Sequence, residues 1–381
     1  MAGAAMRWID EYRDADMVQK TLALINARME TLSQYNARAP LRIMEVCGGH
    51  THAIFRFGLD KLLPESIDFI HGPGCPVCVL PMGRIDSCIE IAHHKEVIFL
   101  TFGDAMRVPG SHGSLLDARR EGADVRMIYS PLDALKIAQE NPSRPVVFFA
   151  LGFETTMPAT AMTFIKAKAL KLSNLFGFCQ HITIIPTLKE LLSEPDQQID
   201  ALLGPGHVSM VIGADAYQGL CQQYHCPFVV SGFEPVDMLQ SVLMIVEQIV
   251  QDRCEVENQY ARVVLSEGNR QAQAAIAKVF TLKASSQWRG LGSIAKSGMR
   301  FRDEFAQFDA EKQFTPHQYE VSEQCGARCG DVLTGKCKPQ QCPLFAKQCS
   351  PKQPVGALMV SSEGACAACY QYALEDECPT M

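Results

Sequence analysis

The chain has 381 residues, 47% of them hydrophobic, and a formal net charge of −7. That length and apolar content suit two or three domains with a large core, and dispersed charge without a basic run leaves no footprint for a nucleic-acid backbone. The N-terminal MAGAAMRWIDEYRDADM is charged throughout, and no apolar run is long enough to span a bilayer, so a soluble cytoplasmic protein is expected. In that reducing setting the sixteen cysteines point to metal ligation or redox chemistry, not structural disulfides.

The first forty residues read as an amphipathic helix, with Tyr12, Met17, Leu22, Ile25 and Met29 near helical spacing. From Leu41 the rhythm changes to short apolar runs that end in Gly-rich loops and are followed by helices. Such strands are predicted over 41–46, 67–72, 97–103, 125–130, 145–153, 175–182, 199–206 and 227–234. Repeated strand–helix alternation with nearly continuous apolar strands predicts α/β architecture, with parallel sheets covered on both faces. The preferred division is two Rossmann-like sub-domains over 1–140 and 141–320, then a small Cys-rich domain over 321–381. A single (β/α)₈ barrel would give the same alternation. In either case ligands gather at the carboxyl edge of the strands. The polar stretch 254–320 reads as helix-rich, with a turn at WRGLG and no evident chemistry.

Three groups of residues carry chemistry. CGGHTH places Cys47 at the end of the first strand with His50 and His52 close behind, and the paired glycines permit a tight backbone approach. A soft thiolate and imidazoles suit a metal or covalent chemistry, although a cysteine after a strand also serves as a small buried hydrophobe. GPGCPVC places Cys75 and Cys78 between a strand and a helix starting near Met82. A dithiol/disulfide pair, half of a zinc site, or two core residues all fit, and Cys75 is expected to be the more exposed member. The tail after Gln324 holds half of the sixteen cysteines: Cys325, Cys329, Cys337, Cys342, Cys349, Cys366, Cys369 and Cys378. It has too few large apolar residues for a core of its own, so a metal staple is expected, either an iron–sulfur cluster or structural zinc. Asp104, Glu154, His181, His207 and Glu234 follow other strands and could line a shared cleft, orienting ligands or carrying protons, or could cap helices. Cys88, Cys179, Cys221, Cys226 and Cys254 read as core residues.

CGGHTH, GPGCPVC, FGDAMRVPG, GFETT, GPGHVS, CPLF and MVSSEGACAA, in this order from about Leu41 to Tyr372, closely resemble the HypD family of hydrogenase maturation factors. The resemblance implies a scaffold that, with a small HypC-type chaperone, holds iron while two cyanides and one carbonyl are attached, making the Fe(CN)2CO unit of nickel–iron hydrogenases. It implies that Cys47 binds that iron at the interface with the chaperone, which contributes a second cysteine. It further implies that Cys75 and Cys78 relay electrons, that a HypE-type partner brings cyanide, and that a 4Fe-4S cluster sits on Cys329, Cys342, Cys349 and Cys366. An assembly scaffold is thus expected in preference to an independent enzyme; a free-standing iron–sulfur oxidoreductase is the alternative.

Overall fold

The computed structural model describes residues 10–34, 40–319 and 326–373. Cys325 and Cys378 lie outside the described residues, as do the first residues of the expected N-terminal helix, which runs over Ala15–Gln34. All eight predicted strands form: β1 Leu41–Glu45, β2 Ile67–His71, β3 Ile98–Thr101, β4 Asp124–Met127, β5 Val146–Gly152, β6 Leu175–His181, β7 Ala201–Pro205 and β8 Phe228–Ser231. A ninth, β9 Val256–Asn258, extends one edge.

The strands form two separate sheets, ordered β2-β1-β7-β8-β9 and β4-β3-β5-β6, and every pairing in both is parallel. This excludes the single barrel and fits Rossmann-like sub-domains. The boundary near residue 140 does not separate the sheets, because it falls between β4 and β5 of one sheet. The chain builds β1 and β2, leaves to build all of the second sheet, and returns with β7 to pair beside β1. That pairing joins Ile43 to Ala201 and Met44 to Leu202, and local hydrophobic pattern carries no information about so distant a partner.

Both sheets are covered on two faces, which is why their strands read as continuous apolar runs. In the first sheet Met44, Leu202 and Val230 point into one core, and Ile43, Leu203 and Val229 into another beneath helices Ala15–Gln34 and Pro235–Val250. In the second, Phe148 and Ala150 face one core, and Val147 and Phe149 the other.

Residues 254–320 hold short strands beside the expected helical segments. One helix, Arg270–Val279, leads into two antiparallel ribbons, β10 Phe280–Leu282 with β13 Met299–Phe301, and β11 Ser285–Trp288 with β12 Gly292–Ala295. Short, mostly polar strands give little periodicity, so the turn at Gly290 was the visible feature. The tail does not fold around a core of its own. Val332, Leu333, Leu358 and Met359 join the first sheet's core, while Ala357 and Val360 join the second's, so the tail is wedged against both.

Candidate functional site

In an open parallel sheet the crevice lies where strand order reverses, because the neighbouring connections diverge to opposite faces. The first sheet reverses at β1/β7 and the second at β3/β5. The segments following these four strands meet at one cleft of about 250 Å³: Cys47 follows β1, His207 follows β7, Phe102 follows β3, and Phe153 and Thr155 follow β5. Two switch points thus face each other across one space.

Cys47 occupies the N-cap of helix Gly48–Phe57, in extended conformation. Its amide donates to Glu45 Oε2 at 3.0 Å. Glu45 is fully buried, and its other oxygen accepts from the Thr51 hydroxyl and from His71 Nδ1 at 2.8 Å. Those contacts fix the strand-to-helix turn that presents the sulfur. The glycines are steric requirements. A Cβ at Gly48 would lie 2.4 Å from the Cβ of Glu363, one at Gly49 would meet the Phe233 ring at 3.0 Å, and one at Gly74 would lie 2.2 Å from the Cys47 amide nitrogen. Burial, then the nearby Glu363 and Glu45, push the Cys47 thiol up to about 12, opposed by the Gly49 and His50 amides that donate toward the sulfur.

His50 and His52 separate. Two residues apart on a helix, they point about 200° away from each other. His50 is fully buried, and its Nε2 donates to the Gly232 carbonyl at 2.9 Å, which leaves Nδ1 as an acceptor without a hydrogen-bond partner. Its ring stacks on Phe233 at 4.7 Å, and the exposed His207 stacks on Phe233 at 4.0 Å. His52 turns away to the last helix, edge-on to Tyr372. Phe233, Glu45 and Glu363 escaped sequence reasoning. Glu45 had a signal, as the carboxylate closing an apolar strand, and Glu363 lies within MVSSEGACAA, but Phe233 had none beyond lying in a loop.

Among the other strand-end residues, Asp104 accepts from Ser361 at 2.8 Å and joins the second sheet to the tail. Glu234 leaves the cleft chemistry: it pairs with Arg13 and caps helix Pro235–Val250. His181 is buried, its Nδ1 donating to the Gly152 carbonyl at 3.2 Å, and burial lowers its pKa to about 4, so it stays neutral. Glu154 is buried behind the cleft wall, with Oε1 accepting from the Ile184 amide at 3.1 Å and Oε2 lacking a hydrogen-bond partner.

Burial raises the Glu154 carboxyl from 4.5 to about 7. A raised carboxyl favours the protonated fold, so its contribution to stability is complete below pH 4.5 and is lost as pH climbs through 7. Glu154→Gln should therefore melt close to the parent at pH 5 but higher at pH 8, a difference worth up to about 3 kcal/mol. Equal melting differences at both pH values would contradict this.

Cys75 and Cys78 are joined by a disulfide with their Cα atoms 5.2 Å apart. Both are buried, at 5% and 2% exposure, so neither stands out to solvent. Helix Met82–Ala92 begins where expected, but an intervening turn keeps both sulfurs out of its first turn. On one side the loop reaches Cys47, since Gly48 donates to the Gly74 carbonyl at 3.3 Å. On the other, Gly364 packs on Cys78, where a Cβ would lie 3.1 Å from the sulfur. Two residues further is Cys366.

Cys329, Cys342, Cys349 and Cys366 line one pocket, whose other walls include Val332, Leu344, Phe345, Leu358 and Met359. Val355 N–H donates to the Cys349 sulfur at 3.4 Å, and Gly356 lies close to the Cys329 sulfur, which a Cβ there, 2.3 Å away, would displace. Among the described residues no three His, Cys, Asp or Glu side chains are grouped tightly enough for a single ion. Four soft donors around an apolar hollow fit an iron–sulfur group. Cys337 and Cys369 are buried outside this pocket.

Together these features define a two-sheet α/β protein with a thiol-bearing cleft at paired switch points, a buried disulfide behind it and a four-cysteine pocket beyond. No helix among the described residues is long and apolar enough to cross a membrane. The HypD family model, described as the hydrogenase formation hypA family, matches residues 17–373. Similar curated proteins include the hydrogenase maturation factors HypD of Escherichia coli, 62% identical, and of Rhodobacter capsulatus, 54% identical, each over 96% of this chain and 98% of the relative. The Azotobacter vinelandii HypD is 48% identical over 96% of this chain and 97% of its own length. The chain belongs to the HypD family.

Proposed function

We propose that this hydrogenase maturation protein holds an iron atom at Cys47 while cyanide and carbonyl ligands are attached. The iron is cargo, destined for a nickel–iron hydrogenase. The observation that carries the reading is the Cys47 cleft, where a soft sulfur and the imidazole of His207 line the meeting point of two switch points, with buried His50 stacked on the same Phe233 ring as His207. Soft thiolate ligation suits low-spin iron bearing cyanide and carbonyl. At this cleft a HypC-type chaperone would add a second thiolate and a HypE-type partner would deliver cyanide.

The chain's residues also supply a route for electrons. The Cys75–Cys78 disulfide takes up two electrons and two protons to become two thiols, and its loop touches Cys47 on one side and the segment before Cys366 on the other. Cys329, Cys342, Cys349 and Cys366 would hold a 4Fe-4S cluster, which supplies single electrons when bound. The Cys349 sulfur accepts an amide hydrogen bond, an arrangement that stabilises added negative charge on sulfur.

Complementation tests the proposal. Expressed in a bacterial host from which its own HypD has been deleted, the chain should restore hydrogenase activity. A well-expressed, folded chain that restores none would contradict the reading.

A further inference from the structure

Outside the site, three cysteines converge at the far end of the first sheet. Cys221 lies on helix Gln218–Tyr224, Cys226 enters β8, and Cys254 lies in the connection from helix Pro235–Val250 to β9. None takes part in the chemistry described above. The Cys221 and Cys254 sulfurs are 3.0 Å apart, and Cys254 also directs its thiol at the Cys221 carbonyl at 3.4 Å. A disulfide bond is about 2.05 Å long, so closing the pair requires roughly 1 Å of movement.

The residues around Cys254 hold it in place. The Arg253 amide donates to the Gln248 carbonyl at 2.8 Å, and the Glu255 amide donates to the Gln248 side-chain oxygen at 2.9 Å. Gln248 is fully buried, and Arg253 also pairs with Glu257 at 3.0 Å. Both neighbours of Cys254 are therefore clamped to one buried residue, Arg253 through the Gln248 backbone carbonyl and Glu255 through the Gln248 side chain. Cys221 is 1% exposed, whereas Cys254 is partly open to solvent.

We propose that Cys221 and Cys254 form a second, reversible disulfide, separate from Cys75–Cys78, that locks the β9 edge of the first sheet under oxidising conditions. The accessible Cys254 meets the oxidant first. With hydrogen peroxide, Cys254 is converted to the sulfenic acid and one water is released. The Cys221 sulfur then attacks the Cys254 sulfur, expelling the hydroxyl as a second water and losing its own proton. Two thiols have lost two electrons and two protons, and the peroxide has become two waters. Burial, then the facing Cys254 sulfur, push the Cys221 thiol up to about 12, so the more exposed Cys254 is the member an oxidant reaches first. The bond ties helix Gln218–Tyr224 to the segment leading into β9 across a sequence separation of 33, constraining the unfolded chain and not the cleft.

The test uses the full chain, reduced and then treated anaerobically with a graded series of hydrogen peroxide. Trypsin cuts after Arg253 and so separates the Cys254 peptide from the one carrying Cys221 and Cys226. Mass spectrometry should find the two peptides joined, with a mass two hydrogens below their sum, and fragmentation should assign the link to Cys221. The same link should form in Cys226→Ser. On oxidation the parent should gain about 3–5 °C in melting temperature beyond the gain in Cys254→Ser, which reports the Cys75–Cys78 bond alone. Recovery of Cys221 and Cys254 as separately alkylated thiols, at peroxide levels that fully oxidise Cys75 and Cys78, would overturn the proposal. So would a link from Cys254 to Cys226, or an unchanged melting difference in Cys254→Ser.

Discussion

Cys47→Ala should lower hydrogenase activity in the complemented host by more than about 100-fold, since altering supporting residues around a metal alone costs 10–100-fold. The substitution removes one buried sulfur and leaves the turn intact. The turn is held by backbone and by Glu45: the Cys47 amide on Glu45 Oε2, and the His50 and Thr51 amides on the Cys47 carbonyl at 2.8 and 3.1 Å. The variant should therefore purify folded, with an unchanged melting profile and an unchanged tail pocket. The two histidines should then differ. His50→Ala should cost about 10–100-fold, because it faces Phe233 within the site, whereas His52→Ala should have a small effect, because its ring belongs to the Tyr372 contact. Near-parental activity in Cys47→Ala would mean that the iron is held elsewhere.

Cys342→Ala should yield a colourless protein. Anaerobically purified parent should be brown and carry about four iron and four sulfide in the tail, and loss of one of the four thiolates of the apolar pocket should reduce both to a small fraction. Cys342 is the useful position because it is partly exposed, so its truncation opens no buried cavity. Cys337→Ala and Cys369→Ala should keep colour and iron, since both lie outside the pocket. If the absorbance survives in Cys342→Ala and also in Cys349→Ala, the ligand set is wrong.

The eight parallel strands were legible because burial on both faces leaves each as an uninterrupted apolar run, and their following loops marked the functional edge. Their assembly was not legible. The return of β7 to pair with β1 is a contact between residues far apart in sequence, and without it the meeting of two switch points cannot be seen. Cys47, His50 and His207 were identified from their setting beside glycine, but the separation of His52 from His50 depends on the strand giving way to helix at Gly48. Phe233 enters the site through packing alone, with ordinary surroundings in sequence, whereas Glu363 was marked only by its place within MVSSEGACAA. The Cys221 and Cys254 sulfurs were read as separate core residues because nothing local signals that a helix and a distant loop meet. The tail's dependence on the two sheets was not legible, because its shortage of large apolar residues pointed to a metal staple and not to packing on distant strands.

Infrared spectroscopy of the protein purified anaerobically with its small chaperone tests the central claim most directly. Bound cyanide and carbonyl stretch in a region where protein itself is nearly silent. The account predicts cyanide and carbonyl bands in the parent complex and their loss in Cys47→Ala. A parent complex that contains iron but gives neither band, or a Cys47→Ala complex with bands at full strength, would contradict it.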